Sequence, residues 1–400
     1  MNSSGRSPRD LALAALHKQQ LEARARLGVA TFISKGDALE AALKRADVRE
    51  RECVIRDGYV QTPAFKYPER TERLRWARTR NILLRSSPGP DEDGNYLEMI
   101  ARQAASIEMI LCQEHTDQPN QRSQELCDHL LLGTLPTLQP SAFARRHGDF
   151  HFVQISAGLM EFAYQSSKAV VLSWKPMNGP ESNRSEFKCE PEDVQSVLSK
   201  NPLPLQLMRL TIENYLFDGW PRATAYAPPP INYQAPLELL INCTERFIIA
   251  HEYCHNLYDA FDIVPPGDPL RGEEFAADVL AFHLVAESGF CLDRLPPNVS
   301  TQGAYFVLAS LGVIHMALDL ARYGEVREDL GFAGHPPIKQ RLQVLRECYL
   351  QTVTREDSDL SIRAVLFAAE TLDLLWRGLL DDGIVARWRD RVVHPIWAGV

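Results

Sequence analysis

Residues 247–255 read Phe-Ile-Ile-Ala-His-Glu-Tyr-Cys-His, which is an HExxH pattern on an apolar stretch. On a helix, residues i and i+4 lie one turn apart on the same face, so the imidazoles of His251 and His255 can reach one ion. The apolar residues before His251 predict a largely buried helix. A buried His-Glu-His group is costly unless something compensates for it, and a metal ion would do so. The stretch therefore predicts a metal site on a helix.

Zinc is the metal that this set of residues favours. It binds neutral imidazole nitrogen readily, and catalytic zinc sites use three protein ligands and a water molecule. Glu252 follows the first histidine, so it would lie beside that water and could take its proton. We therefore predict one Zn²⁺ per chain, with His251 and His255 as ligands and Glu252 as the catalytic base.

The next predicted helix supplies a third ligand. Residues 272–281 read Gly-Glu-Glu-Phe-Ala-Ala-Asp-Val-Leu-Ala. Glu274 would complete a His₂Glu site, and Asp278, one turn later on the same face, could accept the free ring N–H of a ligand histidine and fix its tautomer. Glu273 and Asp259 are the alternative third ligands.

HExxH followed by the ExxAD stretch 274–278 resembles the gluzincin metallopeptidases, and is similar to the catalytic domain of the HtpX-like and CAAX-processing peptidases. Residues 154–160 resemble the edge strand and helix start that precede the zinc helix in those families, and residues 334–342 resemble their His-Pro entry to a late helix. The resemblance covers about residues 149–350. It implies zinc, peptide-bond hydrolysis and a substrate extended along the edge strand.

Two departures limit what the resemblance carries over. The HtpX-like enzymes are embedded in membranes, whereas this sequence has no run of 18 uncharged apolar residues, so we expect no membrane span. Cys254 stands where those families usually have glycine. Their membrane substrates are therefore not expected here.

Hydrolysis would also require a hydrogen-bond donor for the oxyanion. The candidate donors are His335, Tyr305 and Arg341. The sequence leaves the choice among them open, and His335 is the one we name as a possible oxyanion donor. His315 lies in an apolar stretch, and we interpret it as a core histidine.

Composition and charge bound the remaining possibilities. The chain has 400 residues, 45% hydrophobic and 24% charged, and a net charge of −9. Residues 1–85 hold 18 Lys/Arg and 10 Asp/Glu, so the front is basic and the remainder acidic. A basic front is compatible with an anionic partner, although a solvated helical surface explains it as well. Eight scattered cysteines without a CxxC pair, and a polar N-terminus, predict reduced thiols in the cytoplasm.

The predicted fold is α+β and mainly helical: a zincin-like catalytic domain with a small sheet, and a helical N-terminal module. The predicted domains are a basic module over 1–145, a gluzincin-like domain over 146–355 and a helical extension over 356–400. Strands are expected at 150–155 and 168–174. Helices are expected at 8–27, 36–52, 70–84, 235–262, 271–288, 301–324, 338–353 and 361–380, and two more around the polar stretch 114–123 within 96–132.

The favoured function is a zinc metallopeptidase, an endopeptidase rather than an exopeptidase, that acts on a protein or peptide substrate. A catalytically silent zincin-fold protein with a regulatory or binding role is the first alternative. A nucleic-acid-binding regulator that uses the basic N-terminus is the second and less favoured one.

Overall fold

A computed structural model of the chain describes residues 7–27, 43–44, 46, 48–49, 66–86, 94–113, 120–135, 137, 141–177, 187–218, 229–264, 269–327, 335–352, 358–380 and 383–397. Its α-helices are α1 (Pro8–Leu27), α2 (Lys66–Ser86), α3 (Gly94–Leu111), α4 (Gln121–Asp128), α5 (Ala157–Leu172), α6 (Pro191–Lys200), α7 (Leu203–Glu213), α8 (Ile231–Ala260), α9 (Pro269–Ser288), α10 (Pro297–Ser300), α11 (Gln302–Tyr323), α12 (Ile338–Thr352), α13 (Ser358–Leu380) and α14 (Ile384–Arg389). Its strands are β1 (Leu130–Leu135), β2 (Ala142–His147), β3 (Phe150–Ser156), β4 (Lys175–Pro176) and β5 (Phe187–Lys188).

The architecture is mainly helical with a small mixed sheet, which confirms the predicted α+β class. Helices α1, α2, α8, α9, α11, α12 and α13 confirm the helices predicted from the periodicity. Two of these helices contain the metal-site segments. Helix α8 carries the HExxH stretch, and α9 carries Glu274. The helix predicted over 36–52 falls largely outside the described residues.

The three-stranded sheet has the order β1-β3-β2, with β1 parallel and β2 antiparallel to β3. The strand β3 confirms the one predicted at 150–155, but it is central and paired on both sides. The expectation that residues 154–160 begin on an edge strand is therefore wrong. The exposed edge belongs to β2, whose last three residues are exposed, whereas β1 is buried along its whole length.

Two local predictions are wrong because burial overrides intrinsic preference. The Val-rich stretch 168–174 was expected to be a strand, yet most of it forms the end of α5, where Val170 and Val171 are buried in a large core. Residues 130–132 were expected to end a helix, yet they begin β1. A short buried apolar run fits either type of element, so its pairing with β3 decides the outcome.

Contacts divide the chain into two compact units. The first comprises 1–157, 249–264 and 283–297, and contains the three-stranded sheet. The second comprises 158–248, 265–282 and 298–400. The predicted division at residues 145 and 355 stays a prediction.

The second unit contains a large apolar core, built by α5 to α8, α11, α13 and α14. Gly303 on α11 shows how closely two of these helices approach. A Cβ atom built there would lie 2.3 Å from the carbonyl carbon of Cys243 on α8. Only glycine permits this approach without a shift of backbone.

Two helical segments reach the length and hydropathy of a membrane span, Arg271–Asp293 and Pro297–Tyr323. Within the protein, 50% of the first apolar window and 67% of the second are buried. Core helices of globular proteins pass the same test. These segments are therefore weak evidence for a membrane.

Candidate metal centre

The structure brings His251, His255 and Glu274 together. One ring nitrogen from each histidine and one carboxylate oxygen of Glu274 lie within 4.8 Å of one another. The two Nε2 atoms are 3.2 Å apart, and the rings are nearly perpendicular, with an interplanar angle of 83°. These three side chains could hold one metal ion.

The spacing and chemistry of these donors fit zinc. Two nitrogens bound to one tetrahedral zinc ion at the usual bond length lie about 3.3 Å apart, close to the observed distance. His251 is 7% exposed and Glu274 is 9% exposed, so both carry the desolvation cost that a bound cation would offset. Imidazole and carboxylate ligands also suit other first-row metals. The residues therefore support a metal site without specifying the ion.

Glu252, the predicted base, is 7% exposed and directly follows His251 on α8. Its backbone carbonyl accepts a hydrogen bond from Asn256 Nδ2 at 3.3 Å. The same amide nitrogen lies 3.2 Å from the carbonyl oxygen of Phe152 on β3, and Asn256 Oδ1 lies 3.3 Å from His151 Nδ1. Asn256 thus ties the helix that carries the two histidines to the central strand.

A second anchor of the same helix is a buried carboxylate, Glu108 on α3, which is 0% exposed. The hydroxyl of Tyr253 donates to Glu108 Oε1 at 2.8 Å. The guanidinium of Arg85 contacts both carboxylate oxygens, and Arg78 Nη1 lies 3.5 Å from Oε2. Two arginines and a tyrosine thus compensate one buried negative charge.

Glu108 was not among the residues predicted from the sequence. The signal was a single acidic residue in the apolar stretch Ser106-Ile107-Glu108-Met109-Ile110. A charge at such a position is buried only when it is paired. Its three partners lie 23, 30 and 145 residues away along the chain, so no local pattern predicts them.

Glu274 is contacted by two of the candidate oxyanion donors. His335 Nδ1 lies 2.8 Å from Glu274 Oε2, and Arg341 Nη1 lies 3.6 Å from the same oxygen. The side chain of His335 is 43% exposed. His335 therefore lies beside Glu274 and is partly open to solvent.

Asp278 is fully buried and accepts two hydrogen bonds from Arg341, from Nε to Oδ2 and from Nη2 to Oδ1, both at 2.7 Å. This bidentate geometry is the strong form of a charge-assisted pair. Asp278 therefore holds Arg341, which in turn approaches Glu274. Its predicted contact with a ligand histidine stays a prediction.

The alternative third ligands lie apart from this group in the described part of the chain. The only group of ligand atoms found there contains Glu274, and neither Glu273 nor Asp259 belongs to it. The side chain of Asp259 is 49% exposed and lies near Arg146 at 3.6 Å and His151 at 3.7 Å. The arrangement thus selects Glu274.

A cavity of about 570 Å³ lies among α11, α12 and α13. Tyr305 and His315 are on its wall. The Tyr305 hydroxyl is buried and has no hydrogen-bond partner among the described residues. Burial, together with the charges of His335 and Arg341, lowers the pKa of His315 to about 4. His315 thus lines a cavity rather than a filled core, and stays neutral near pH 7.

Comparison with models of known protein families, with curated proteins and with solved structures found no significant match. The case for this site therefore rests on the residues His251, His255 and Glu274 and on their geometry.

Proposed function

We propose that this chain is a zinc-dependent metallopeptidase with a zincin-like fold, and an endopeptidase that acts on a protein or peptide substrate. The observation that carries the proposal is the convergence of His251, His255 and Glu274 on one position, with Glu252 next in the chain to the first ligand. This is the residue set that a catalytic His₂Glu zinc site requires.

In this proposal each residue of the site has one role in the reaction. His251, His255 and Glu274 would hold the ion, which, when bound, polarises the scissile carbonyl and lowers the pKa of water. Glu252 accepts a proton from the attacking water and passes it to the leaving nitrogen. His335, exposed beside Glu274, donates a hydrogen bond to the oxyanion. Asp278 holds Arg341 near Glu274 through their bidentate pair.

The substrate, in this proposal, pairs as an extended strand with β2. This strand is bonded to β3 on one side, and its other side carries no strand among the described residues. Arg146 of β2 lies 3.6 Å from Asp259, one helical turn after His255. A peptide added to this edge would thus run past the end of the helix that carries the histidines.

A cytoplasmic location is part of the same proposal. Seven cysteines lie in the described residues, and all seven are free thiols, as in proteins of reducing compartments.

The test is metal content and proteolysis measured on three proteins purified side by side without added metal: the wild type, His255→Ala and Glu252→Gln. We expect about one zinc per chain in the wild type and in Glu252→Gln, and loss of the metal in His255→Ala. Cleavage of a panel of protein substrates should fall at least about a hundredfold in Glu252→Gln. The Glu252→Gln protein then serves to trap substrate, and bound peptide should slow hydrogen exchange of the β2 amides.

Each alternative predicts a different result. Folded wild type without stoichiometric metal would refute the metal site. Zinc that is retained while Glu252→Gln keeps full biological activity would favour the catalytically silent binding protein. Nucleic-acid binding that weakens steeply with salt would favour the basic N-terminus as the functional element.

A further inference from the structure

Two cysteines in the first unit lie in direct contact. Cys112 follows the last turn of α3, and Cys127 lies in α4. Their Sγ atoms are 3.7 Å apart, and each residue is 1% exposed. A disulfide requires about 2.05 Å between the sulfurs, so a shift of less than about 2 Å brings them to bonding distance.

The surroundings of this pair favour a thiolate on Cys112. The hydrogen bond between the two sulfurs lowers the pKa of the Cys112 thiol, and the charge of Arg78 also lowers it, whereas burial and the charge of Glu108 oppose this effect. The same hydrogen bond, with burial, raises the pKa of Cys127. One sulfur is therefore the better nucleophile, and the other keeps its proton until it is needed.

The other described cysteines offer no comparable pair. Cys243, Cys254 and Cys348 are buried, and Cys189 and Cys291 have pKa values raised by burial. Sequence spacing did not reveal the pair, because 15 residues separate the two positions.

We propose that Cys112 and Cys127 are a modification site, a dithiol that a hydroperoxide oxidises to a reversible intramolecular disulfide. This inference is independent of the proposed peptidase activity.

The chemistry needs one oxidant and balances in two steps. With hydrogen peroxide as the hydroperoxide, the Cys112 sulfur attacks one peroxide oxygen, the O–O bond breaks, and the products are a sulfenic acid and water. The Cys127 sulfur then attacks the sulfenic sulfur, the S–O bond breaks, and a second water leaves with the Cys127 proton. Two thiols lose one electron each, and the peroxide bond receives both electrons. A dithiol reductant reverses the result by exchange.

The position of the pair connects it to the helix that carries the two histidines. Arg78 lies near Cys112 and also 3.5 Å from Glu108, the carboxylate that accepts the Tyr253 hydroxyl. Oxidation would remove the thiol that faces Arg78 at the edge of this buried charge cluster.

The experiment uses the full-length, fully reduced protein treated with a small excess of hydrogen peroxide. The protein is then denatured, its remaining thiols are alkylated, and it is analysed by peptide mass mapping. We expect two fewer alkylated thiols, a linked peptide pair that contains Cys112 and Cys127, and full recovery of the thiols with dithiothreitol. Cys348→Ser, which removes a buried thiol outside this pair, should still form the link. Cys112→Ser and Cys127→Ser should each prevent it.

Three results would overturn the proposal: no linked peptide in the wild type, a thiol loss that persists unchanged in both serine variants, or oxidation of Cys112 to the sulfinic acid with Cys127 left reduced. The peptide map of the wild type decides the matter even where a serine variant fails to fold.

Discussion

The helix that supplies His251 and His255 and the helix that supplies Glu274 are held by different kinds of interaction. The first is fixed by hydrogen bonds, from Asn256 to the backbone of β3 and from Tyr253 to the buried Glu108. The second carries a buried bidentate ion pair, Asp278 with Arg341, and its Glu274 is contacted by His335. A hydrogen bond to backbone mainly sets position, whereas a buried ion pair is costly as soon as one partner is lost. The two ligand sources should therefore respond differently to single substitutions.

The largest expected effect concerns the ion pair. In Arg341→Leu, Asp278 remains as a buried charge without its arginine, so we expect unfolding free energy to fall by about 3–5 kcal/mol. Urea denaturation at neutral pH measures this loss. The double variant Arg341→Leu with Asp278→Asn is the matched control. It also removes the negative charge of Asp278, so it should recover part of the lost unfolding free energy. A single variant within about 1 kcal/mol of the wild type would show that the pair does not anchor this helix.

The next effect concerns His315 and depends on pH. Its folded pKa of about 4 lies below the value of 6.5 for a free histidine. Between these two pH values the unfolded state binds one more proton at His315 than the folded state does. The contribution of neutral His315 to the free energy of unfolding is therefore fully present above pH 6.5 and is lost as the pH falls toward 4. Between pH 7 and pH 5 the wild type should lose about 2 kcal/mol more stability than His315→Leu, which does not titrate.

That comparison isolates one histidine, because the other acid-sensitive groups are common to both proteins. Parallel curves for the wild type and His315→Leu from pH 7 to pH 5 would mean that His315 is solvated and titrates normally.

The third effect, of about the same size as that of His315, concerns the helix that carries His251 and His255. Tyr253→Phe removes the hydroxyl that donates a hydrogen bond to Glu108, while the contacts of Glu108 with Arg85 and Arg78 remain. We expect a loss of about 2 kcal/mol, the usual size for a hydrogen bond to a charged group. The matched control is Tyr305→Phe, because the Tyr305 hydroxyl has no partner among the described residues. This control should be neutral or stabilising, and equal losses in the two variants would contradict the role given to Glu108.

Much of the helical part of this protein could be predicted from local sequence. The periodic segments that became α1, α8, α9 and α11 were identified within a few residues of their ends. Among the short elements β3 was also identified, but β1 was not, and residues 168–174 were wrongly predicted to be a strand. The run at 130–135 has leucine at four of its six positions, and the Val-rich run at 168–174 has strand-like composition. Each took the form that its buried neighbours required, since periodicity does not distinguish a short buried strand from a buried helical turn.

The sequence by itself determined that His251, Glu252 and His255 share a helix, because a spacing of four residues acts within a single turn. It narrowed the third ligand to Glu273, Glu274 or Asp259. Only the tertiary structure brought Glu274 to the two histidines, paired Asp278 with Arg341, and set Glu108 against Tyr253. These contacts join residues that are far apart in the chain, so no local pattern predicts them. Because a buried charge is costly without a partner, these contacts contribute strongly to the stability of the fold.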